Sequence, residues 1–181
     1  LNRAISNPYP LGSAFKLVTG LAGLCHDDPE KGITRETIFT CNGYFYLGRR
    51  PWRCYHGHAH GEMDVVNAIK KSCNVFFYNV GYRAGRDALV SMAGRLGFGK
   101  ITGIGLSTER PGVNPTDEWL RSDDWRAPAY MPWVPGFTVN LSIGQYPIEV
   151  TPIQVAMAYS VVANGGTLYK PRLVKKISRN D

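Results

Sequence analysis

The sequence has 181 residues, a length that suits one domain or a large part of one. With 44% hydrophobic and 19% charged residues, the chain can bury a core and is not a disordered tail. No apolar run approaches the roughly 20 residues that span a bilayer. We therefore expect a soluble unit, with any membrane anchor outside these residues.

The charge of the chain favours an anionic partner but not a nucleic acid. Its 21 Lys and Arg residues outnumber 14 Asp and Glu residues, giving a net charge of +7. Such an excess suits nucleic acid, anionic lipid or an anionic polymer such as a cell-wall glycan. The basic residues are scattered, and the sequence has no glycine-rich phosphate loop or recognition-helix pattern. We therefore expect no nucleic-acid binding.

The first part of the chain is predicted to contain helices on either side of an irregular insertion. Apolar residues at helical spacing predict a helix over residues 13–24. Residues 25–61 are rich in aromatic residues, glycine, histidine and cysteine, and we expect an insertion there with short strands near residues 37–40 and 44–47. Asp64 is a suitable cap for a helix that starts at Val65.

The rest of the chain is predicted to contain three further helices, a long loop and a final strand. In chain order these are a helix over residues 75–82, a helix from residue 86 to the glycines at 97 and 99, a loop over 101–135, a helix over 153–163 and a strand over 167–177. Helix dominates this pattern, and no linker divides the chain.

Ser13 and Lys16 form an S-x-x-K motif at the start of the first predicted helix. Residues three apart lie on one helix face, so the Lys16 amine is expected to reach the Ser13 hydroxyl. A serine becomes a good nucleophile when a base takes its proton, and a lysine is such a base when burial keeps it neutral. Taken alone the motif is weak, because a capping serine followed by a surface lysine is common.

Ser72 and Asn74 form an S-x-N triplet at the predicted break between two helices. A serine there can relay a proton to a leaving amine, and an asparagine can hold both the lysine and a substrate amide. This triplet is also weak alone. Together and in this order, however, S-x-x-K and S-x-N are two of the three elements shared by penicillin-binding proteins and β-lactamases.

Longer segments resemble class B penicillin-binding proteins, and most closely their penicillin-binding protein 2 branch. They are residues 2–16 around Ser13, residues 68–81 around the triplet, residues 141–154 with their Gly-Gln pair, and residues 163–171. The resemblance spans almost the whole chain. It implies an α+β serine transpeptidase or β-lactamase-like fold, in which a helical part packs on an antiparallel sheet.

The third element of that family, K-T-G, is absent from the 181 residues. In the family it lies on a strand beyond the last helix and strand predicted here. We therefore expect residues 1–181 to be a partial transpeptidase domain with an incomplete sheet. The isolated chain is expected to be catalytically incomplete.

The resemblance implies a peptidoglycan D,D-transpeptidase, with Ser13, Lys16, Ser72 and Asn74 as catalytic residues. Its substrate would be the peptidoglycan stem peptide, its inhibitors β-lactams, and its partner a membrane-bound glycan polymerase. It would face the periplasm from the bacterial inner membrane. Two alternatives stay open: a β-lactam-hydrolysing or sensing relative, and a non-catalytic, zinc-stabilised binding module.

Four residues form a candidate metal site: Cys41, Cys54, His60 and Cys73. Three thiolates and one imidazole suit tetrahedral Zn²⁺, although the spacing is not that of a standard zinc finger. Some relatives in the penicillin-binding protein 2 branch bind zinc beside S-x-N, with a histidine and a cysteine spaced like His60 and Cys73. A Cys41–Cys54 disulfide is allowed in the periplasm, and free thiols are the third alternative.

Overall fold

The structure is a computed structural model that describes residues 2–124, 127 and 132–178. Helices and antiparallel strands both occur in these residues. The helices are α1 (Arg3–Ser6), α2 (Lys16–Leu24), α3 (Val65–Lys70), α4 (Asn74–Arg95), α5 (Asp117–Leu120), α6 (Pro135–Leu141) and α7 (Pro152–Ala163). The strands are β1 (Phe39–Cys41), β2 (Tyr44–Leu47), β3 (Arg50–Arg53) and β4 (Gly61–Met63), and 3₁₀ turns cover Gly12–Phe15 and Tyr55–Gly57.

Side-chain caps start two helices where the sequence predicted them. The Asp64 carboxylate accepts a hydrogen bond of 2.7 Å from the Asn67 backbone N–H at the start of α3. At the start of α7, Thr151 and Gln154 form a reciprocal capping box. Both arrangements satisfy backbone N–H groups that a helix cannot pair internally. These two predicted helix starts are confirmed.

Helices α2 and α4 pack closely and form the centre of the fold. Phe15, Phe76 and Phe77 are fully buried between them and their neighbours. Gly23 lets α2 approach α4, because a Cβ at this position would lie 2.7 Å from a methyl group of Val80. The core therefore holds α2 along the first half of α4.

Helix α4 continues across the boundary that was predicted between two helices. Gly85 interrupts its regular geometry with a φ of 84°. The helix ends at Arg95, before Gly97, whose φ of 91° suits a glycine. The two predicted helices are thus confirmed as two halves of one bent element.

The insertion at residues 25–61 contributes two small antiparallel sheets. Strand β1 pairs with β4, and Thr40 lies opposite Glu62. Strand β2 pairs with β3, and Phe45 lies opposite Trp52. The predicted strand at residues 44–47 is confirmed, and the other predicted strand overlaps β1.

The predicted strand over residues 167–177 is wrong. None of these residues is assigned to a strand or pairs with one among the described residues. Tyr169 and Ile177 are 68% and 88% exposed. Alternating apolar residues give a strand only where a neighbouring strand accepts their backbone hydrogen bonds.

Two helices were missed: α5 lies within the predicted loop over 101–135, and α6 begins at the last residue of that loop. The sequence feature that indicates α6 is Pro135, because proline is common at the first position of a helix. Residues 125–126 and 128–131 of the predicted loop lie outside the described residues.

Gly81 of α4 packs directly against Ser142, which follows α6. A Cβ there would overlap the Ser142 side chain. We expect Gly81→Ala to destabilise the chain by about 1–3 kcal/mol, since close-packed segments must separate. Gly94→Ala in the same helix is the control, because its nearest neighbour would be 3.5 Å away and alanine favours helix. Chemical denaturation of both variants would measure the difference, and equal stabilities would contradict this packing argument.

Candidate active site

Ser13 lies exposed on the 3₁₀ turn that precedes α2. Gly12, next to it, has a φ of 56°, and its N–H donates a 2.9 Å hydrogen bond to the Gly144 carbonyl. A Cβ at Gly144 would lie 2.6 Å from the Cβ of Phe15, so this second glycine is needed for the close approach. The two glycines together hold the serine at the surface of the core.

Lys16, one turn later, is buried with only 3% of its surface exposed. Its ammonium donates three hydrogen bonds: to the Ser72 carbonyl at 2.7 Å, the Ser72 hydroxyl at 2.8 Å and the Asn74 side-chain carbonyl at 2.6 Å. Burial lowers the pKa of Lys16 to about 8. The amine is therefore neutral in an appreciable fraction of molecules near neutral pH.

The S-x-N triplet forms the turn between α3 and α4. Ser72 has a φ of 50°, a left-handed conformation that costs a residue other than glycine about 1–3 kcal/mol. Cys73 caps α4, since its sulfur accepts a hydrogen bond from the Phe76 N–H. This conformation brings the carbonyl and hydroxyl of Ser72 and the amide of Asn74 around one ammonium.

The four predicted catalytic residues lie together, but Lys16 is not hydrogen-bonded directly to Ser13 as expected. The Ser72 hydroxyl lies 3.1 Å from the Ser13 hydroxyl, and Lys16 is hydrogen-bonded to that same Ser72 hydroxyl. The three donors of the ammonium are all used by the triplet. Ser72 is therefore the link through which a proton can pass from the exposed serine to the buried amine.

The four predicted metal ligands also lie together, directly behind the triplet. The sulfur atoms of Cys41, Cys54 and Cys73 and a ring nitrogen of His60 are all within 4.8 Å of one another. His60 Nδ1 is 3.7 Å from Cys41 Sγ and 3.5 Å from Cys54 Sγ, and Cys54 Sγ is 4.0 Å from Cys73 Sγ. Tetrahedral zinc would place sulfur atoms about 3.8 Å apart and a sulfur and nitrogen about 3.6 Å apart.

Each ligand comes from a different part of the insertion or from the triplet itself. Cys41 ends β1, Cys54 follows β3, and His60 precedes β4. Backbone hydrogen bonds hold these segments in place: His60 N–H donates to the Cys41 carbonyl at 3.0 Å, and Cys54 N–H to the Gly43 carbonyl at 2.8 Å. The insertion is therefore folded around the cluster.

The comparisons with known proteins agree with this geometry. The penicillin binding protein transpeptidase domain family matches residues 1–180. This chain belongs to that family. The peptidoglycan D,D-transpeptidase MrdA of Escherichia coli K12 is 32% identical over 176 residues, which are 96% of this chain and 26% of that protein. The chain thus spans about a quarter of the length of the curated relatives it matches.

Solved structures of penicillin-binding proteins have the same fold. Pseudomonas aeruginosa PBP2, in complex with WCK 5153, has a TM-score of 0.84 at 31% identity and covers 97% of this chain and 38% of that one. A chain of a peptidoglycan synthase complex that coordinates polymerization and crosslinking has a TM-score of 0.82 at 34% identity, with 97% and 29% covered. The predicted α+β transpeptidase fold is therefore confirmed.

In this transpeptidase domain the three cysteines of the cluster are free thiols, and together with His60 they suit a metal cation. Cys41, Cys54 and Cys73 are buried, and none forms a disulfide. Burial raises the pKa of the Cys73 thiol to about 12. Burial and the nearby Lys71 ammonium lower the pKa of His60, which favours a neutral imidazole. A neutral imidazole and thiols that become thiolates on binding are what a soft divalent metal requires.

A cavity of about 500 Å³ opens over Ser13 in this transpeptidase domain. Ser13, Ser72 and Asn74 line it, together with three residues that sequence reasoning did not select: Tyr55, Lys71 and Gln145. Gln145 belongs to the Gly-Gln pair and was within reach of sequence analysis. Tyr55 and Lys71 had no such signal, because only the folded insertion and the triplet turn bring them to the cavity.

None of the helices in the described parts of the chain has the length and apolar character needed to cross a membrane.

Proposed function

We propose that this chain carries the acylation machinery of a peptidoglycan D,D-transpeptidase. The observation that carries the proposal is the hydrogen-bonded series from the exposed Ser13 through Ser72 to the buried Lys16, with Asn74 on the same ammonium. An exposed serine connected to a desolvated amine is what serine acyl transfer needs. The family and the relatives named as D,D-transpeptidases support the same reaction.

In the proposed reaction, neutral Lys16 accepts the Ser13 proton through the Ser72 hydroxyl. The Ser13 oxygen forms a bond to the penultimate D-Ala carbonyl carbon of a stem peptide. The C–N bond to the terminal D-Ala then breaks, and Ser72 returns the proton to that amine. The amine of a second stem next attacks the ester carbonyl carbon and loses a proton to Lys16. As the new amide bond forms, the ester C–O bond to Ser13 breaks, and the proton returns from Lys16 through Ser72 to the Ser13 oxygen. Asn74 holds Lys16 in place throughout.

The acylation rate is expected to rise with pH. The reactive form of Lys16 is the neutral amine, and its pKa is about 8. Deprotonation increases as pH rises through that value, so the rate should grow about tenfold between about pH 7 and about pH 9 and then level off. Stopped-flow acylation by a penicillin across this range would measure it. A rate that is flat or falls over this interval would contradict the role of Lys16 as base.

The experiment that tests the function is labelling with a fluorescent penicillin, performed on the 181-residue chain and on the full-length protein that carries it. We expect a stable adduct on the full-length protein, mapped by mass spectrometry to the peptide containing Ser13. We infer that the chain alone is a partial domain without the K-T-G strand, so its labelling should be much weaker. An adduct elsewhere, or none on the full-length protein, would refute the proposal and favour a binding module.

A second measurement separates transpeptidase from hydrolase. With nitrocefin, a transpeptidase should release a single burst of about one equivalent, because water is poorly placed to remove the acyl group. Steady turnover would instead identify a β-lactam-hydrolysing relative.

We also propose that Cys41, Cys54, His60 and Cys73 hold one Zn²⁺. The atomic separations fit a tetrahedral site, and the buried sulfur atoms have no disulfide. Bound there, zinc would crosslink the insertion to the triplet and take no part in acyl transfer. Because Cys73 lies between Ser72 and Asn74, fixing its sulfur fixes the direction of both neighbours. Elemental analysis of the purified protein would test this, and absence of zinc would refute it.

We propose further that the domain works at the bacterial inner membrane, facing the periplasm, beside a glycan polymerase. The synthase complex among the structural relatives, which coordinates polymerization with crosslinking, supports that partnership. Cell fractionation and co-purification of the full-length protein would test both statements. A cytoplasmic protein that purifies without a polymerase would refute them.

A further inference from the structure

One wall of the cavity over Ser13 carries a positive charge that the proposed reaction does not use. Lys71 directly precedes Ser72, so their α-carbons are about 3.8 Å apart, and the Lys71 side chain lines the same cavity as the nucleophile. Lys71 is exposed, whereas Lys16 is buried. It is therefore available to a ligand in the cavity.

The charge of Lys71 is not neutralised by the protein. Within the described residues, no carboxylate lies within ion-pair distance of Lys71. Nor does any of the described residues that line the cavity carry a carboxylate. A substrate entering this cavity thus meets an ammonium group that has no carboxylate partner among the described residues.

His60 contributes an imidazole ring to the same wall. It also lines the cavity, and Nδ1 is its ring atom that faces the sulfur atoms of Cys41 and Cys54. The remaining ring nitrogen is Nε2. A metal held through Nδ1 would leave the ring proton on Nε2, as a permanent donor.

We propose that Lys71 and His60 Nε2 form a subsite for a carboxylate of the donor stem peptide, separate from the carboxylate of the terminal D-Ala. This inference rests on the proposed transpeptidase function and names a feature of its substrate. The Lys71 ammonium and, with zinc held through Nδ1, the Nε2–H group of His60 line one cavity and together suit one carboxylate, because charge-assisted hydrogen bonds are stronger than neutral ones. Lys71 would thus determine specificity without taking part in the bond changes.

The test uses the full-length protein and two penicillins that differ by one carboxylate. Carbenicillin is benzylpenicillin with an additional carboxylate on its side chain. We expect Lys71→Gln to lower the ratio of the carbenicillin to the benzylpenicillin acylation rate by about threefold to tenfold, the size of one partly exposed charge-assisted contact. Lys70→Gln is the matched control: Lys70 is the adjacent exposed lysine and is absent from the cavity wall, so the ratio should stay the same.

A measurement on the unmodified protein gives the same test without a variant. Raising the salt concentration from about 0.1 M to about 1 M shortens the Debye length from about 10 Å to about 3 Å, so the ratio should fall. A ratio that depends neither on salt nor on Lys71 would overturn the subsite while leaving the transpeptidase proposal intact. Absence of acylation by both penicillins would instead refute the function and, with it, this inference.

Discussion

Replacing Lys16 with methionine is expected to reduce the acylation rate by about 10²- to 10⁴-fold, the range that a positioned proton acceptor contributes. Methionine fills similar space but cannot accept a proton or donate to Ser72 and Asn74. Ser13 would then keep its proton, since the described hydrogen-bonded path from its hydroxyl ends at this amine. Single-turnover acylation of the full-length protein by a fluorescent penicillin measures the loss.

Lys16→Arg distinguishes a base from a fixed positive charge. Arginine keeps the charge and the hydrogen-bond donors, but its guanidinium is not deprotonated in proteins. If Lys16 acts as base, the arginine variant should be nearly as slow as the methionine variant and should lose the rise of rate with pH. If the arginine variant kept most of the wild-type rate, the positive charge would be what matters, and the proton path proposed here would be wrong. Circular dichroism of both variants verifies that they are folded.

The sequence predicted which residues lie together at the site better than it predicted the contacts between them. The order of S-x-x-K and S-x-N, as in penicillin-binding proteins and β-lactamases, indicated that Ser13, Lys16, Ser72 and Asn74 belong to one site. The i, i+3 argument nevertheless placed Lys16 directly on Ser13. The structure places Ser72 between them, because its backbone takes a left-handed conformation at φ 50°. Local spacing does not predict such a conformation in a residue other than glycine.

The fold was predictable where local signals act over one or two helical turns. Asp64 was a correct guide because a cap depends on residues within four positions. The strand predicted over residues 167–177 was wrong for the opposite reason, since a strand depends on a partner that may be distant in sequence. Contacts such as that of Gly81 with Ser142 also follow only from the tertiary packing.

The cluster of three cysteines and one histidine links the stability of the insertion to the geometry of the site. Cys73 belongs to both, since it caps α4 and lies between the two functional residues of the triplet. Lys16 is hydrogen-bonded to both of those neighbours. Displacement of the cluster is therefore expected to shift Ser72 through its covalent neighbour Cys73. A shift of Ser72 would in turn alter its hydrogen bond with Ser13.

Removing the proposed zinc should lower both stability and activity. We expect chelation, or Cys54→Ser, to reduce the melting temperature by about 4–8 °C or more, because a loss of only about 2 kcal/mol has that effect in a chain of this size. The acylation rate should fall by about 10²-fold, since displacement of reacting groups by about 1 Å costs that much. Differential scanning calorimetry and penicillin acylation, before and after chelation and after zinc is restored, measure both effects.

Cys25→Ser is the matched control, because Cys25 is an exposed thiol outside the cluster. It should retain one zinc per chain and the wild-type melting temperature. Thiol counting after denaturation in chelator separates the alternatives: a zinc site releases all four cysteines as reactive thiols, whereas a Cys41–Cys54 disulfide hides two of them. The zinc proposal would be refuted if two cysteines were unreactive, no zinc were found and the melting temperature did not respond to chelator. A Cys41–Cys54 disulfide would then take its place. The orientation of the Ser72 and Asn74 side chains would then depend only on the Cys73 cap of α4. Cys54→Ser would lower stability by opening the loop between residues 41 and 54.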